Sequence, residues 1–558
     1  VDFVQQIQDE IKSQINEALE AARNEGLLDF KTVPDFVIEV PRQQNFGDFA
    51  TNVAMLLAKE AKKNPREIAQ TIIGRLEVPN HLVAGVETAG AGFINFRLSP
   101  AWLYQVPPQI LEEDLTYGRD NLGRGAKIQV EFVSANPTGL LHMGNARGAA
   151  LGDTIASLLE AVGYDVTREF YINDAGNQIQ NFGKSLEARY LQALGHDVPV
   201  PDEGYHGEDL VETIRGLTAK IGNKYEDTAP ELRREMLVRY ALEEKLQGIK
   251  QSLQNFGVKY DVWFSEQSLH DSGEIEQVIR ELQEKGYIYE KEGALWFKST
   301  QFGDEKDEVV VRKNGIPTYF AADIAYHRNK FERGFEEVIN IWGADHHGHV
   351  SRMKGAVQAL GYDPDRLKII LMQMVRLFSG GEILRMSKRT GQYVTLDELL
   401  LEVGVDAARY FFLSKSHDAT VDFDLDLAKS QSSDNPVYYV QYAHARIMSI
   451  LRAQAAAGED LSGPVNFSLL AASEEHNLIR KLADFPGVVK GAALAAEPHR
   501  LPAYAQQLAS LFHNFYTNCR VLTEDPELKK ARLALCRATQ ITLRNLLSLM
   551  GVSAPERM

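Results

Sequence analysis

Cysteine is nearly absent: Cys519 and Cys536 are the only two in 558 residues. Two thiols build neither a disulfide framework nor a cysteine-rich zinc site, and a reducing, cytoplasmic setting is expected. Long apolar runs are missing too. No stretch approaches about 18 apolar residues, so neither a spanning helix nor a membrane partner is expected. The first ten residues lack the basic-then-apolar pattern of a secretory leader, and none is expected. Glycine and proline, 42 and 20, are too few for a collagen-like or low-complexity chain. Basic charge is in deficit: 60 Lys and Arg against 77 Asp and Glu leave −17. That excludes a uniformly basic nucleic-acid coat, though not a local phosphate-binding patch. The deficit is uneven, since residues 431–558 carry +2 and the rest −19.

What remains is ordinary globular composition, 44% hydrophobic and 25% charged, long enough for about three or four domains. Residues 1–105 read as a small α+β unit. Helices are expected over 1–23 and 50–62, the second with Val53, Leu56 and Leu57 on one face. Strands are expected over 35–40 and 93–98. Residues 120–377 alternate strands (128–133, 166–172, 338–342, 367–374) with helices such as 143–162. This pattern predicts a Rossmann-type parallel sheet covered by helices. A helical insertion over about 178–257 divides its halves. A connecting segment, 378–430, follows. From 431 the strand signal ends, and helices over 438–451, 474–490, 502–522 and 527–550 predict a bundle. The fold class is therefore multidomain α/β with a C-terminal helical bundle.

Two segments stand out chemically. Glu131-Phe132-Val133-Ser134-Ala135-Asn136-Pro137-Thr138-Gly139 leads through a turn to His142-Met143-Gly144-Asn145 at a helix start. The unpaired N–H groups and positive dipole there suit a phosphate. His142 could donate to a phosphoryl oxygen, and Gly144 would admit close backbone approach. The other segment is Arg385-Met386-Ser387-Lys388-Arg389-Thr390-Gly391, preceded by Ser379-Gly380-Gly381. Lys388 offers a mobile point charge for a moving phosphate. Taken singly, each has a plain alternative: a strand–turn–helix corner, and a solvated basic loop.

Other groups also read two ways. Gly343-Ala344-Asp345-His346-His347-Gly348-His349 looks metal-like but closes a strand where nucleotides bind, and no resident metal is expected. Tyr319 and Asp323 share a helix face, either as a pocket or as a packed ring beside a surface carboxylate. Phe93 and Asn95 share a strand face, able to stack on and read a splayed base or simply to pack. The aromatic run 435–446 is core or a base-stacking surface. Both cysteines read as buried small hydrophobes.

The two segments together resemble the paired signatures of class I aminoacyl-tRNA synthetases. With Gly47-Asp48-Phe49-Ala50-Thr51-Asn52, Tyr171-Ile172-Asn173-Asp174-Ala175-Gly176-Asn177-Gln178 and Ala554-Pro555-Glu556-Arg557-Met558, the chain resembles the arginyl-tRNA synthetases over nearly its whole length. That resemblance implies ligation of L-arginine to tRNA(Arg) through an arginyl-adenylate, with ATP and its Mg²⁺ as substrate. It implies no tightly bound cofactor, and a cytoplasmic monomer. It also implies an N-terminal tRNA-binding domain, a Rossmann core with an insertion, and a helical anticodon-binding domain. Catalysis would fall to His142, Asn145 and Lys388. Glu131, Ser134, Asn136, Tyr319, Asp323 and His346 would hold arginine. ATP would meet His142, Gly144, Asn145, Gly343, Asp345, His349, Met386 and Lys388, and tRNA would meet Phe93, Asn95, Tyr439, Tyr442 and Met558. The chain departs from the class pattern at Asn145, where the class has His. It departs again at Arg385 and Arg389, which replace the leading Lys and final Ser of the second signature.

Overall fold

A computed structural model describes residues 1–385 and 393–558. The N-terminal unit opens with helix Phe3–Asn24, capped by Asp2 through the Gln5 N–H at 3.0 Å. Ile7, Ile11, Ile15, Leu19 and Ala22 form its buried stripe. Two shorter helices, Val53–Ala61 and Pro65–Ile73, pack with an antiparallel sheet whose central strand is Phe93–Leu98, between Phe49–Thr51 and Val83–Ala89. The Gly47-Asp48 pair makes the corner into this sheet. A side chain at 47 would meet the Phe96 carbonyl at 2.7 Å, and Asp48 Oδ2 accepts the Leu98 N–H at 2.7 Å.

Two expectations fail here. Residues 35–40 form no strand, only an isolated bridge from Glu39 to Ala50. Pro34 and Pro41 bracket the segment and withhold ladder donors, and Val37 and Val40 lie exposed. The second helix starts at Val53 because Phe49–Thr51 pairs with the central strand. Its buried face is Val53, Ala54, Leu57 and Ala61, while Leu56 points to solvent.

The core sheet runs Leu367–Met372, Glu337–Gly343, Lys127–Glu131, Asp165–Ile172, Val262–Ser265, and every neighbouring pair is parallel. Helix Met143–Ala161 crosses from the first strand in sequence to the second and is buried over most of its length. Its Gly152 is where the sheet comes close: a Cβ there would lie 2.1 Å from Phe132 Cγ. The insertion is three helices, Asn177–Ala193, Glu208–Ile221 and Pro230–Asn255, with a small core of their own around Phe182, Tyr190, Ile214 and Leu237.

Three features escaped the sequence reading. Val262–Ser265 is a fifth core strand. Ile288–Lys291, Ala294–Phe297 and Glu308–Val311 form a small antiparallel sheet. Val375–Ser379 pairs parallel with Val421–Asp424 and antiparallel with Glu382–Ile383.

The C-terminal bundle comprises Pro436–Ala457, Ser473–Ala483, Phe485–Ala495, Arg500–Asn518 and Pro526–Met550. The single helix expected over 474–490 divides at Asp484. Pro486 has no N–H to offer the Leu482 carbonyl. The buried Tyr117 hydroxyl donates to that carbonyl instead, at 2.5 Å.

Candidate active site

In the core sheet, Lys127–Glu131 and Glu337–Gly343 lie side by side where the strand order reverses. The crevice beyond the carboxyl ends of such strands is where open α/β sheets bind ligands. The chain leaves Glu131 through Val133 and Ser134 at φ +70° and +44°. A β-branched residue there is strained, a state that persists only when its surroundings enforce it. The turn brings Ser134 Oγ back to donate to Glu131 Oε2 at 2.9 Å and to accept the Tyr171 N–H at 3.1 Å.

From Glu131 a chain of buried hydrogen bonds runs beneath the crevice. Lys330 Nζ donates to Glu131 Oε1 at 2.6 Å and to Asn340 Oδ1 at 2.8 Å. Asn340 Nδ2 donates to His327 Nε2 at 2.8 Å, and His327 Nδ1 donates to the Asp323 carbonyl at 2.7 Å. These directions require a neutral His327 with its proton on Nδ1. Burial and the Lys330 charge lower its pKa well below the ordinary value, in agreement. The sequence reading missed Lys330, His327 and Asn340. The available signal was the helical spacing of Asp323, His327 and Lys330 opposite a strand asparagine. Glu131 anchors this network, and each of its oxygens already accepts one bond.

Beside it lies a second acidic site. Thr318 caps helix Tyr319–Glu332, putting Tyr319 and Asp323 on one face. Tyr319 is exposed and closes over Gly176, while Asp323 Oδ2 accepts from His349 Nε2 at 3.2 Å. His349 itself stands between Trp342 and Phe320, 5.4 and 5.7 Å between ring centres. Tyr319 shares a small pocket with Glu266, which begins the helix after strand Val262–Ser265. Glu266 is 3% exposed, and its Oε2 has no partner among the described residues. Burial, then Asp323 and Asp174, push its pKa up to about 8. The Tyr171 hydroxyl, also buried and without a partner among the described residues, is raised by burial and then by Glu266 and Asp323. The sequence reading missed Glu266 because it missed the strand before it.

On the other side of the crevice, His142 is the N-cap of Met143–Ala161, exposed and bridged through its backbone to Thr395. Local desolvation lowers its pKa, so the ring is neutral near pH 7. Asn145 Oδ1 accepts the His142 N–H at 3.1 Å. It therefore caps the helix, a role its reading as a ligand donor did not foresee. Gly144 follows His142 in the first turn. Gly343 ends its strand; Asp345 and His346, exposed and 3.5 Å apart, occupy the turn before helix His347–Ala359. Asn136 lies exposed in the loop after Glu131. Met386 and Lys388 lie outside the described residues. The chain on either side is fastened: Gly380 N–H to Asp426 Oδ2 at 2.7 Å, Leu384 N–H to the Leu377 carbonyl at 2.7 Å, and, next to His142, Leu396 N–H to the Leu141 carbonyl at 2.9 Å. Among the described residues no group of three or more His, Cys, Asp or Glu side chains could hold a metal. His346 turns to Asp345 and His349 to Asp323.

The remaining candidates lie far along the chain from this crevice. Phe93 and Asn95 are unequal: Phe93 is half-buried at the strand start, whereas Asn95, between Ala50 and Glu87 in the central strand, is 4% exposed. In the bundle Tyr442 is exposed, stacked near Tyr438 and His513, with Arg446 4.8 Å from its ring centre. Tyr439 is half-buried against His513. The exposed Met558 lines an open groove of about 590 Å³ with Tyr438, Gln441 and Asp406. His444 donates to the Pro555 carbonyl at 2.9 Å and fixes the chain end across the helix.

Comparison with known proteins agrees along the whole chain. Residues 6–98 match the arginyl tRNA synthetase N terminal domain, 106–447 the class I (R) tRNA synthetase catalytic domain, and 440–558 the DALR anticodon binding domain. An arginine–tRNA ligase of Moorella thermoacetica is 65% identical over 100% of both chains, and one of Heliobacterium modesticaldum 62% over 100% of both. The solved arginyl-tRNA synthetase of Thermus thermophilus is 25% identical with a TM-score of 0.74, covering 98% of this chain and 100% of that one. With one catalytic model matching more than half of its residues and full-length relatives above 60% identity, the chain belongs to the arginyl-tRNA synthetase family.

Proposed function

We propose that the protein attaches L-arginine to tRNA(Arg) at the expense of ATP, through an arginyl-adenylate. The observation that carries the amino-acid assignment is the acidic pocket. Glu266 has a buried oxygen without a partner among the described residues, Asp323 stands near enough to raise its pKa, and Tyr319 lines the same pocket. A planar, permanently charged guanidinium satisfies two such carboxylates with charge-assisted bonds. Ser134 and Asn136, at the strained turn, are assigned to the α-amino and carboxylate end, with Glu131 holding Ser134 in place. His346, exposed in the turn after strand Glu337–Gly343, is assigned to arginine as well.

In the first step an arginine carboxylate oxygen attacks the α-phosphorus of ATP, the bond to the β-phosphate oxygen breaks, and pyrophosphate leaves with its Mg²⁺. The enzyme aligns the partners and stabilises charge on the departing phosphates. The helix N-terminus at His142, Gly144 and Asn145 supports that role for the phosphates, and Lys388 is assigned to the leaving group. Gly343, Asp345 and His349, with Met386, are assigned to the adenosine. In the second step a ribose hydroxyl at the tRNA end attacks the arginyl carbonyl and AMP leaves. Phe93 and Asn95 in the N-terminal unit, and Tyr439, Tyr442 and Met558 in the bundle, are assigned to tRNA. We also read the enzyme as a cytoplasmic monomer; two buried free thiols support a reducing compartment. Pyrophosphate exchange measured with each amino acid, with and without tRNA(Arg), is the test. Exchange with arginine alone among them, dependent on tRNA, is expected; exchange with another amino acid overturns the assignment.

A further inference from the structure

Arg147 is 1% exposed, five residues beyond His142 on the same helix. Nothing in the chemistry above uses it. Among the described residues its hydrogen bonds all go to main-chain carbonyls: Nη1 donates to Gln373 at 2.7 Å and Ala419 at 2.8 Å, and Nη2 to Ser416 at 2.8 Å. Burying a guanidinium on carbonyls alone is costly, because dipoles offset lost hydration less fully than a carboxylate does. The cost is visible in a pKa lowered by desolvation to about 10, with Asp418 opposing through its field.

The three carbonyls mark one place. Gln373 joins the last core strand, Leu367–Met372, to Val375–Ser379, which leads into Ser379-Gly380-Gly381 and the second signature segment. Ser416 and Ala419 precede Val421–Asp424, the parallel partner of Val375–Ser379. The two stretches also bond directly: the Gln373 N–H to the His417 carbonyl at 2.8 Å, and His417 Nδ1 to the Leu371 carbonyl at 2.8 Å. Arg147 therefore bolts the His142 helix to the junction between the core sheet and the small sheet that carries the second signature. Met372, the last residue of the core strand, packs against the same helix beside Arg147 at Gly148, where a Cβ would lie in ordinary contact, 3.6 Å from Met372 Cε.

We propose that Arg147 is a positioning residue for adenylate formation, fixing His142 relative to the strand that leads into the second signature segment. A neutral core residue could fill the volume, but it would not bind three carbonyls of two separate segments at once. The guanidinium's planar fork does. The proposal rests on the ligase reading, and the two separate cleanly in one assay.

The assay is arginine-dependent pyrophosphate exchange with tRNA(Arg) present, on full-length Arg147→Lys, Arg147→Gln and Arg147→Met. Wild-type exchange that fails with arginine overturns the ligase reading and the proposal with it. Given wild-type exchange, Arg147→Met is expected to lose about 100-fold in kcat while the KM values for arginine and ATP stay within about twofold, since misalignment by roughly an ångström acts on the transition state. Arg147→Lys, which keeps the charge and some of the bonds, is expected to recover part of the loss. Circular dichroism and thermal melting report folding beside each rate. A folded Arg147→Met with kcat within about twofold of wild type overturns the proposal, and so does a change confined to KM. If Met fails to fold, Lys and Gln decide by the same criterion. If all three fail to fold, Arg147 serves the core alone and the proposal falls.

Discussion

A carboxyl group buried beside two others holds its proton beyond its usual range, and Glu266 does so up to about pH 8. Its proton is bound more tightly in the folded chain, so its stabilising contribution is full below the ordinary carboxylate range and is lost as pH rises through about 8. A bound guanidinium favours the carboxylate and lowers that pKa. Arginine binding below about pH 8 must then release a proton, and affinity must rise with pH until about 8 and level off above it. Calorimetric titration in buffers of different ionisation enthalpy reads the proton directly. Glu266→Gln should abolish the release, and an arginine affinity that is flat from about pH 6 to 9 in the wild type would discard the coupling. Asp323→Asn should lower kcat/KM for arginine at least about tenfold, a charge-assisted bond being worth roughly 1.5–3 kcal/mol. Unchanged arginine kinetics would reduce Asp323 to the partner of His349. Lys388→Ala should slow adenylate formation far more than it weakens ATP binding; wild-type turnover at saturating ATP would remove Lys388 from the chemistry.

Among elements, the junction at Asp484 has a checkable energetic structure. Pro486 leaves the Leu482 carbonyl without a helical donor, and the Tyr117 hydroxyl takes its place. Tyr117→Phe should cost about 1–3 kcal/mol by leaving a buried carbonyl unsatisfied. Asp484 already has helical φ/ψ, so Pro486→Ala can return an N–H to that carbonyl. The double variant should then be less destabilised than the sum of the singles, as read from denaturant midpoints; strict additivity would show that the hydroxyl and the proline do not share the acceptor. This contact was not legible in the sequence, because it joins residues 365 apart. The parallel core was legible, because strands such as Lys127–Glu131 and Asp165–Ile172 alternate with long helical segments such as Met143–Ala161. Residues 35–40 misled for the converse reason: the right composition, but prolines at both ends. At the site, the residues near sequence signatures were readable. Lys330 and His327 on their helix and Asn340 on its strand were not, since a polar residue reads as solvated until tertiary structure buries it. Glu266 was hidden behind a four-residue strand too short to show a period.

Polar contacts join units that the chain order separates, beside a continuous apolar core that runs through the N-terminal unit, the core sheet and the bundle. Arg544 reaches Asp114 at 2.8 Å, and Tyr117 enters the bundle. Deeper, Arg409 donates to Asp153 on the His142 helix at 2.6 Å and to the Met550 carbonyl at the end of the last helix, also at 2.6 Å. The bundle is thus packed directly on the helix that starts the active site. Its surface charge, +2 over residues 431–558 against −19 elsewhere, makes it the less repulsive region for a polyanion. At Tyr442 two contributions can be separated. The ring is exposed and stacked beside Tyr438 and His513, while Arg446 lies against it and against Tyr516, donating to the Tyr442 hydroxyl at 3.2 Å. Stacking of an unpaired base is worth roughly 1–3 kcal/mol and is nearly insensitive to salt, whereas a phosphate contact is not. Tyr442→Ala should therefore raise the KM for tRNA about tenfold or more and leave its salt dependence unchanged. Arg446→Gln should flatten the dependence of log affinity on log salt by about one phosphate's worth. An unchanged tRNA KM in a folded Tyr442→Ala would return the aromatic run to packing. A salt slope that shifts with Tyr442 and not with Arg446 would mean that the ring, rather than the cation, positions the backbone.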